Sequence, residues 1–249
     1  MITINNNMYV LDTDNTSYAF AVLGSGQLEH LYYGRKLHAN EAVMTEKHTF
    51  IPGNTNVYNK DYSSYSLEDV CLEMSSLGKG DIREPFIEVT YPNGSSTTDM
   101  VFDRAEIIQG KEEYDTLPGS YDDNGEVEQL VIYLKDRNYN LTLELHYYVY
   151  EKCDIITRSA KLVNSGNESV RLERLMSMQL DLNESDYELS FFNGAWAREM
   201  NRSRIPIRAG KYVNESVTGT SSNRANAYFL IGRSSTTEDY GECYGLNLI

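Results

Sequence analysis

The chain is poor in cysteine, and its three cysteines lie far apart in the sequence. Cys71, Cys153 and Cys243 form no CxxC pair, so the sequence predicts neither a disulfide framework nor a zinc site. Residues 1–7 contain neither the basic nor the apolar stretch of a signal peptide. A protein with reduced cysteines and no signal peptide is typical of the cytoplasm, so we expect a cytoplasmic protein.

Long apolar runs and positive charge are also scarce. No run of about 18 apolar residues occurs, so no membrane-spanning helix is expected. Lys and Arg number 22 against 37 Asp and Glu, which gives a formal net charge of −15. Such a charge repels phosphate backbones, and nucleic acid is therefore not an expected partner. Hydrophobic residues make up 41% of the chain, enough to build a sizeable core.

The residues that are abundant favour β-strands. The chain has 20 Tyr and only 5 Pro, and alternating polar and apolar runs recur along it. Leu141, Leu143 and Leu145 share one face of such a run, and residues 176–183 alternate in the same way. Further strands are predicted at 18–23, 28–33, 86–91, 101–108, 130–134, 155–163, 170–175, 227–231 and 243–249.

Turn residues separate these runs. Gly24-Ser25-Gly26 predicts a tight turn, residues 91–95 predict the clearest hairpin, and residues 164–169 predict a second hairpin joining 155–163 to 170–182. The stretch 67–74 predicts one short helix at most, and residues 38–64 predict a long surface loop. Many strands without a βαβ rhythm predict an all-β fold, a large antiparallel β-supersandwich of two packed sheets with few short helices.

Candidate catalytic and metal-binding residues are few. His30, His38, His48 and His146 show no metal-ligand spacing, so we expect ordinary surface or loop histidines. The acidic runs between residues 112 and 124 do not match a calcium loop and are expected to be solvated. No nucleophile elbow, P-loop or dinucleotide fingerprint occurs. We therefore expect no cofactor and no metal, and composition alone does not indicate an enzyme.

Trp196 is the only tryptophan, and it follows two small residues. An indole presented outward from such a segment can stack on the apolar face of a sugar ring. The alternative is a large core tryptophan with Arg198 and Glu199 solvated beside it. The residues alone leave both interpretations open.

Five stretches, in order along nearly the whole chain, resemble the N-terminal β-sandwich domain of bacterial α-galactosidases of glycoside hydrolase family 36. The strongest are the GAW-x-RE run at 193–199 and the YE-x-x-x-x-ITRS run at 150–159. The others are residues 26–34, 81–85 and 221–229. No single stretch would suffice, but their common order makes the resemblance specific.

The resemblance implies a domain organisation and an activity. Members are long cytoplasmic enzymes, often tetrameric, that release terminal α-1,6-galactosyl units from melibiose and raffinose. A β-supersandwich precedes a (β/α)8 barrel, whose two aspartates act as nucleophile and acid/base, and a small C-terminal β domain. Residues 1–249 would be the N-terminal domain alone, inactive without the barrel that follows Ile249. The apolar end of the chain at 243–249 fits a fragment, although a natural chain can also end in a strand.

The resemblance also implies one site residue and several partners. Trp196 would wall the galactose pocket of a neighbouring subunit, so the expected partners are α-galactosides, the chain's own barrel and other subunits of a homo-oligomer. The family has an acidic contact in the loop corresponding to residues 37–58, where only Glu41 and Glu46 are candidates. The alternative is a stand-alone carbohydrate-binding or oligomerisation module.

Overall fold

The computed structural model describes residues 1–38, 56–63, 66–182, 186–220 and 222–249. Glu41, Glu46, His48 and most of the predicted loop at 38–64 lie outside the described residues. The strands are β1 (Ile2–Asn5), β2 (Met8–Asp12), β3 (Thr16–Val22), β4 (Leu28–Arg35), β5 (Ile87–Thr90), β6 (Met100–Gln109), β7 (Glu128–Asp136), β8 (Leu141–Tyr150), β9 (Ile155–Asn164), β10 (Arg171–Leu175), β11 (Tyr187–Ala195), β12 (Arg198–Pro206), β13 (Ala225–Arg233) and β14 (Cys243–Asn247).

These strands fall into two compact units. The first unit, residues 1–115 and 120–181, contains the sheets β1-β2-β3-β4 and β6-β7-β8-β9 and the pair β10-β5. The second, residues 116–119 and 182–249, contains the sheet β12-β11-β13-β14. Neighbouring strands in each sheet are antiparallel. The all-β, antiparallel prediction is confirmed, and in the described part helix is limited to the short 3-10 turns Lys60–Tyr62, Leu67–Asp69 and Glu151–Cys153.

The core of the first unit follows the predicted alternation along β8. Leu141, Leu143 and Leu145 are at most 2% exposed and pack with side chains from the facing strands. The opposite face of β8 is also covered, because His146 is buried and its Nδ1 lies 2.9 Å from Gln129 Nε2. The prediction of ordinary surface or loop histidines is therefore wrong for His146.

A buried ionic cluster occupies the same core, around the fully buried Glu73. Its carboxylate accepts hydrogen bonds from Tyr18 Oη at 2.6 Å and Tyr147 Oη at 2.7 Å. His30 Nδ1 lies 2.8 Å from one carboxylate oxygen, and Arg158 Nη2 lies 3.1 Å from the other. His30 is thus a buried strand residue, which makes the surface prediction wrong here too. The Glu73 carboxylate, with all of these partners in place, thereby links strands β3 and β4 to strands β8 and β9.

The strand predicted at residues 176–183 is wrong over the described residues 176–182. Strand β10 ends at Leu175, and the chain continues without strand structure. Contacts from other segments hold it instead, among them those made by Gln179 and Asp181. The Gln179 carbonyl accepts a hydrogen bond from Arg158 Nη1 at 2.9 Å, and the Asp181 carboxylate accepts one from Leu72 N at 3.1 Å. An alternating pattern alone cannot supply a strand with a neighbour to pair with.

The predicted turns form, but two of them do not join paired strands. The turn at Gly24–Gly26 connects the paired strands β3 and β4, with Gly26 at a φ of 96°. At residues 91–95, Gly94 N donates to the Tyr91 carbonyl at 2.9 Å. Yet β5 pairs with β10, and β6 pairs with β7. Strand β9 pairs with β8 rather than with β10, so both hairpin predictions are wrong as strand pairings.

Candidate functional site

Trp196 lies at the tip of the hairpin formed by β11 and β12 in the second unit. Ala195 pairs with Arg198, so Trp196 and Ala197 are the two central residues of the turn. The Trp196 side chain is 83% exposed. The structure therefore contradicts the interpretation of Trp196 as a core residue of this chain and leaves its indole available for contact.

The turn has an unusual backbone and a side chain that supports it. Ala197 has a φ of 59°, a left-handed conformation that residues other than glycine rarely adopt. Its N–H donates to Oε1 of Glu199 at 2.8 Å. On the same strand, Asn201 Nδ2 donates to the Arg198 carbonyl. In both hydrogen bonds a side chain of β12, Glu199 or Asn201, bonds to the backbone at or next to the turn and constrains it.

Gly194 allows the two strands to approach closely below the turn. A Cβ atom on Gly194 would overlap the Arg198 carbonyl oxygen and would lie 2.8 Å from Cα of Glu199. Asn193 pairs with Asn201 although Ala195 pairs with Arg198, so β12 contains one residue more than β11 here. This is a β-bulge, which bends the strand and redirects the tip.

The hairpin tip is also bonded to the start of β13. Gly194 N donates to the Arg224 carbonyl at 2.9 Å, and Met200 N donates to the Asn223 carbonyl at 3.1 Å. The stretches 193–199 and 221–229, which the sequence singled out separately, therefore meet in the folded chain. Sequence reasoning found both stretches but had no signal for their contact.

A shallow cavity lies on the sheet of the second unit. Its polar residues contact one another: Arg204 pairs with Glu188, and Arg202 Nη2 donates to Ser190 Oγ at 3.2 Å. Among the described residues that line this cavity, Glu188 is the only carboxylate, whereas glycoside hydrolysis normally uses two. The cavity therefore does not provide the acid and nucleophile of a glycosidase.

The described residues contain neither a cluster of metal ligands nor a membrane-spanning helix. In this part of the chain, no three His, Cys, Asp or Glu residues are grouped so as to hold a metal ion. No helix within the described ranges has the length and apolar character to cross a membrane. Cys71, Cys153 and Cys243 form no disulfide in the structure.

Comparison with known families matches residues 26–249 to the glycosyl hydrolase family 36 N-terminal domain. The chain belongs to this family. It is 33% identical over 245 residues to α-galactosidase AgaA of Geobacillus stearothermophilus, covering 96% of this chain and 33% of that enzyme. It is likewise 33% identical over 243 residues to the bifunctional α-galactosidase/sucrose kinase AgaSK of Mediterraneibacter gnavus, covering 97% of this chain and 26% of that protein.

Solved structures agree with this family 36 assignment. The crystal structure of the α-galactosidase from Lactobacillus brevis matches with a TM-score of 0.89 at 33% identity, over 98% of this chain and 34% of that enzyme. A doubly substituted variant of AgaA in complex with raffinose matches with a TM-score of 0.88 at 31% identity, over 96% of this chain and 33% of that variant. The chain thus spans between 26% and 34% of the length of these relatives. The resemblance to the N-terminal sandwich of family 36 is confirmed.

Proposed function

We propose that this chain is the N-terminal domain, residues 1–249, of a cytoplasmic retaining α-galactosidase that releases terminal α-1,6-linked galactose from melibiose or raffinose. Support comes from the family 36 match and from relatives that are α-galactosidases, one of them solved with raffinose. The catalytic carboxylates then belong to a (β/α)8 barrel, whose C-terminal face is where such residues lie. A small C-terminal β domain completes the enzyme.

Trp196 is the residue of this chain that we propose to contact substrate. The observation that carries this proposal is the 83% exposure of Trp196 at the tip of the β11–β12 hairpin. Hydrogen bonds from Gly194 and Met200 to the segment before β13, and from Ala197 to Glu199, hold this tip in place. An indole offers a flat apolar face that can stack on the apolar face of galactose. We propose that it walls the pocket of a neighbouring subunit in a homo-oligomer such as a tetramer, while the rest of the domain supports the barrel.

The test is Trp196→Ala in the enzyme that contains this chain and its barrel. Because an aromatic contact contributes about 0.5–1.5 kcal/mol, we expect KM for raffinose to rise about twofold to tenfold, with a smaller change in kcat. Trp196→Phe keeps an aromatic face and should recover most of the affinity. The matched control is Tyr240→Ala, which removes another aromatic side chain that is 75% exposed. An unchanged KM in Trp196→Ala would refute the stacking role.

A further inference from the structure

The cavity on the sheet of the second unit is lined by an excess of positive charge. Its lining includes three arginines, Arg202, Arg204 and Arg233, and one carboxylate, Glu188. The carboxylates of the adjoining connection between β13 and β14 are not among these described lining residues. The lining therefore carries two more positive than negative charges, although the whole chain has a formal net charge of −15. A positive cavity in an acidic chain favours the binding of an anion.

The pairing of the strands brings these side chains together. Arg202 and Arg204 lie two positions apart on β12, so their side chains leave the same face of the sheet. Arg204 pairs with Ser190 of β11, and Ser190 pairs in turn with Leu230 of β13. Gly232 also lines the cavity and has no side chain to fill it. Three neighbouring strands thus contribute to one recessed, polar surface.

Arg202 is not neutralised by a carboxylate of the described residues. Its side-chain hydrogen bonds both go to Ser190 Oγ, from Nε at 3.3 Å and from Nη2 at 3.2 Å. Six arginines of the first unit, by contrast, each pair with a carboxylate: Arg83, Arg104, Arg137, Arg158, Arg171 and Arg174. In a chain this rich in carboxylates, an arginine that pairs with none of the described ones is available to an anion from outside.

Ser190 supplies a second, independent observation. It lines the cavity although it is only 4% exposed. Its Oγ accepts both hydrogen bonds from Arg202, and no described residue accepts the hydroxyl proton. Because a serine hydroxyl can donate while it accepts, this O–H is a further donor for an anion that lies against Arg202.

We propose that this cavity binds a phosphate group, as inorganic phosphate or as a phosphate monoester, through the guanidinium groups of Arg202, Arg204 and Arg233 and the hydroxyl of Ser190. A guanidinium presents several N–H donors in one plane, which suits the oxygens of a phosphate. A phosphate monoester carries a charge of about −1.5 to −2 at pH 7, which matches the two excess positive charges of the lining. The proposed role of Trp196 does not involve this cavity, so the two can be tested separately.

Cys243 provides the first test, because it is an exposed residue that lines the cavity. Burial raises the pKa of its thiol, and Arg202 acts in the opposite direction. A bound phosphate would cover the thiol and oppose the effect of Arg202, and both changes slow its reaction with iodoacetamide. In the 249-residue chain at constant ionic strength, added phosphate should lower the alkylation rate of Cys243 several-fold, in a saturable manner. Peptide mass spectrometry reads the cysteines separately, and Cys153, which is exposed outside the cavity, should keep its rate.

Two arginine variants separate a specific site from general attraction. Loss of hydrogen bonds from a charged donor should raise the Kd for phosphate about tenfold in Arg202→Gln. The matched control is Arg198→Gln, which removes the same charge from β12 at an exposed residue that does not line the cavity. Because salt screens distant exposed charges, Arg198→Gln should change the Kd by less than about twofold. Isothermal titration calorimetry measures both values without reference to the thiol.

The choice of anion distinguishes the sources of the phosphate group. Inorganic phosphate, methyl phosphate and acetate are compared in the wild-type chain. A lower Kd for methyl phosphate supports a phosphate monoester as the ligand, and a lower Kd for inorganic phosphate supports the free ion. Protection of Cys243 by acetate equal to that by phosphate would overturn the assignment of a phosphate group. The proposal also fails if millimolar phosphate gives no saturable protection, or if Arg202→Gln and Arg198→Gln weaken binding equally.

Discussion

Glu73 shows how a single carboxylate is kept ionised inside an apolar core. Burial alone raises the pKa of this carboxyl, but Arg158, together with hydrogen bonds from His30 and Tyr18, outweighs burial and lowers the pKa from 4.5 to about 2. The desolvation cost of a buried charge is offset only where such partners are complete. Tyr147 supplies a further hydrogen bond at 2.7 Å. The cluster is therefore structural, and its four partners come from four different strands.

The lowered pKa predicts an acid-sensitive contribution to stability. Because the folded pKa of about 2 lies below the ordinary value of 4.5, Glu73 stabilises the fold fully above about pH 4.5 and loses this contribution as the pH falls toward 2. Carbon-13 titration of the Glu73 carboxyl in the folded chain should show it ionised at pH 3.5. A titration midpoint near 4.5 would contradict the assigned partners.

Substitution of Glu73 provides an independent check at neutral pH. Glu73→Gln leaves the Arg158 guanidinium buried without its carboxylate, so the free energy of unfolding should fall by about 3–5 kcal/mol. Glu106→Gln is the control, since Glu106 is exposed and pairs with Arg104 at the surface. Surface ion pairs contribute about 0–1 kcal/mol, and denaturant unfolding should separate the two variants clearly.

The hairpin β11–β12 illustrates how one glycine determines the shape of an element. At Gly194 the obstacle to a larger residue is the facing strand, because a Cβ atom would lie 2.8 Å from Cα of Glu199 and would overlap the Arg198 carbonyl. These obstacles are backbone atoms of the facing strand, and they cannot move aside as the end of a flexible side chain would. Gly194 therefore fixes the close approach of the strands on which the Trp196 turn is built.

Gly194→Ala should open this hairpin and lower the thermal midpoint of the second unit. We expect a loss of about 2–3 kcal/mol, typical of overpacking against backbone. The matched control is Gly219→Ala in the same unit, where no atom lies within 4 Å of the added methyl group and only the φ of 81° opposes alanine. That variant should lose about 1 kcal/mol. If Gly194→Ala and Gly219→Ala lowered the free energy of unfolding equally, steric contact with the facing strand would not be the reason for glycine at position 194.

Among the larger elements, the turns were better predicted than the strand partners. Gly94 closes its turn as expected, because glycine chemistry acts within four residues. The partner of the preceding strand β5 is β10, more than eighty positions away along the chain. A pattern that alternates polar and apolar residues states which face is buried, but not which strand lies alongside.

As a whole, the chain supplies a scaffold and an exposed aromatic residue but no described pair of catalytic carboxylates at its cavity. The second unit shows comparatively little burial: its most buried apolar side chains, among those described, are Tyr187, Leu189 and Tyr244 at 8% exposure each. The chain covers 34% of the length of the Lactobacillus brevis enzyme. The proposed function accordingly places catalysis in a barrel outside these residues.

The 249-residue chain on its own should not hydrolyse an aryl α-galactoside. We expect no turnover above a buffer blank, because the proposed function places the nucleophile and the acid/base on the barrel. The barrel-containing enzyme, assayed under the same conditions, is the positive control, and circular dichroism should verify that the isolated chain retains its β structure. Measurable turnover by the folded chain would place catalytic residues within it and contradict the proposed division of labour.

The sequence by itself determined the β class, the core-facing leucines of β8 and the family, because side-chain alternation, turn glycines and ordered motifs are all local features. It also singled out Trp196, without deciding between core and surface. Only the tertiary structure decided that Trp196 is exposed, that Glu73 gathers four distant partners, and that residues 193–200 are bonded to Asn223 and Arg224. These features depend on which segments meet in space, and that outcome is set by packing and hydrogen bonding over the whole chain.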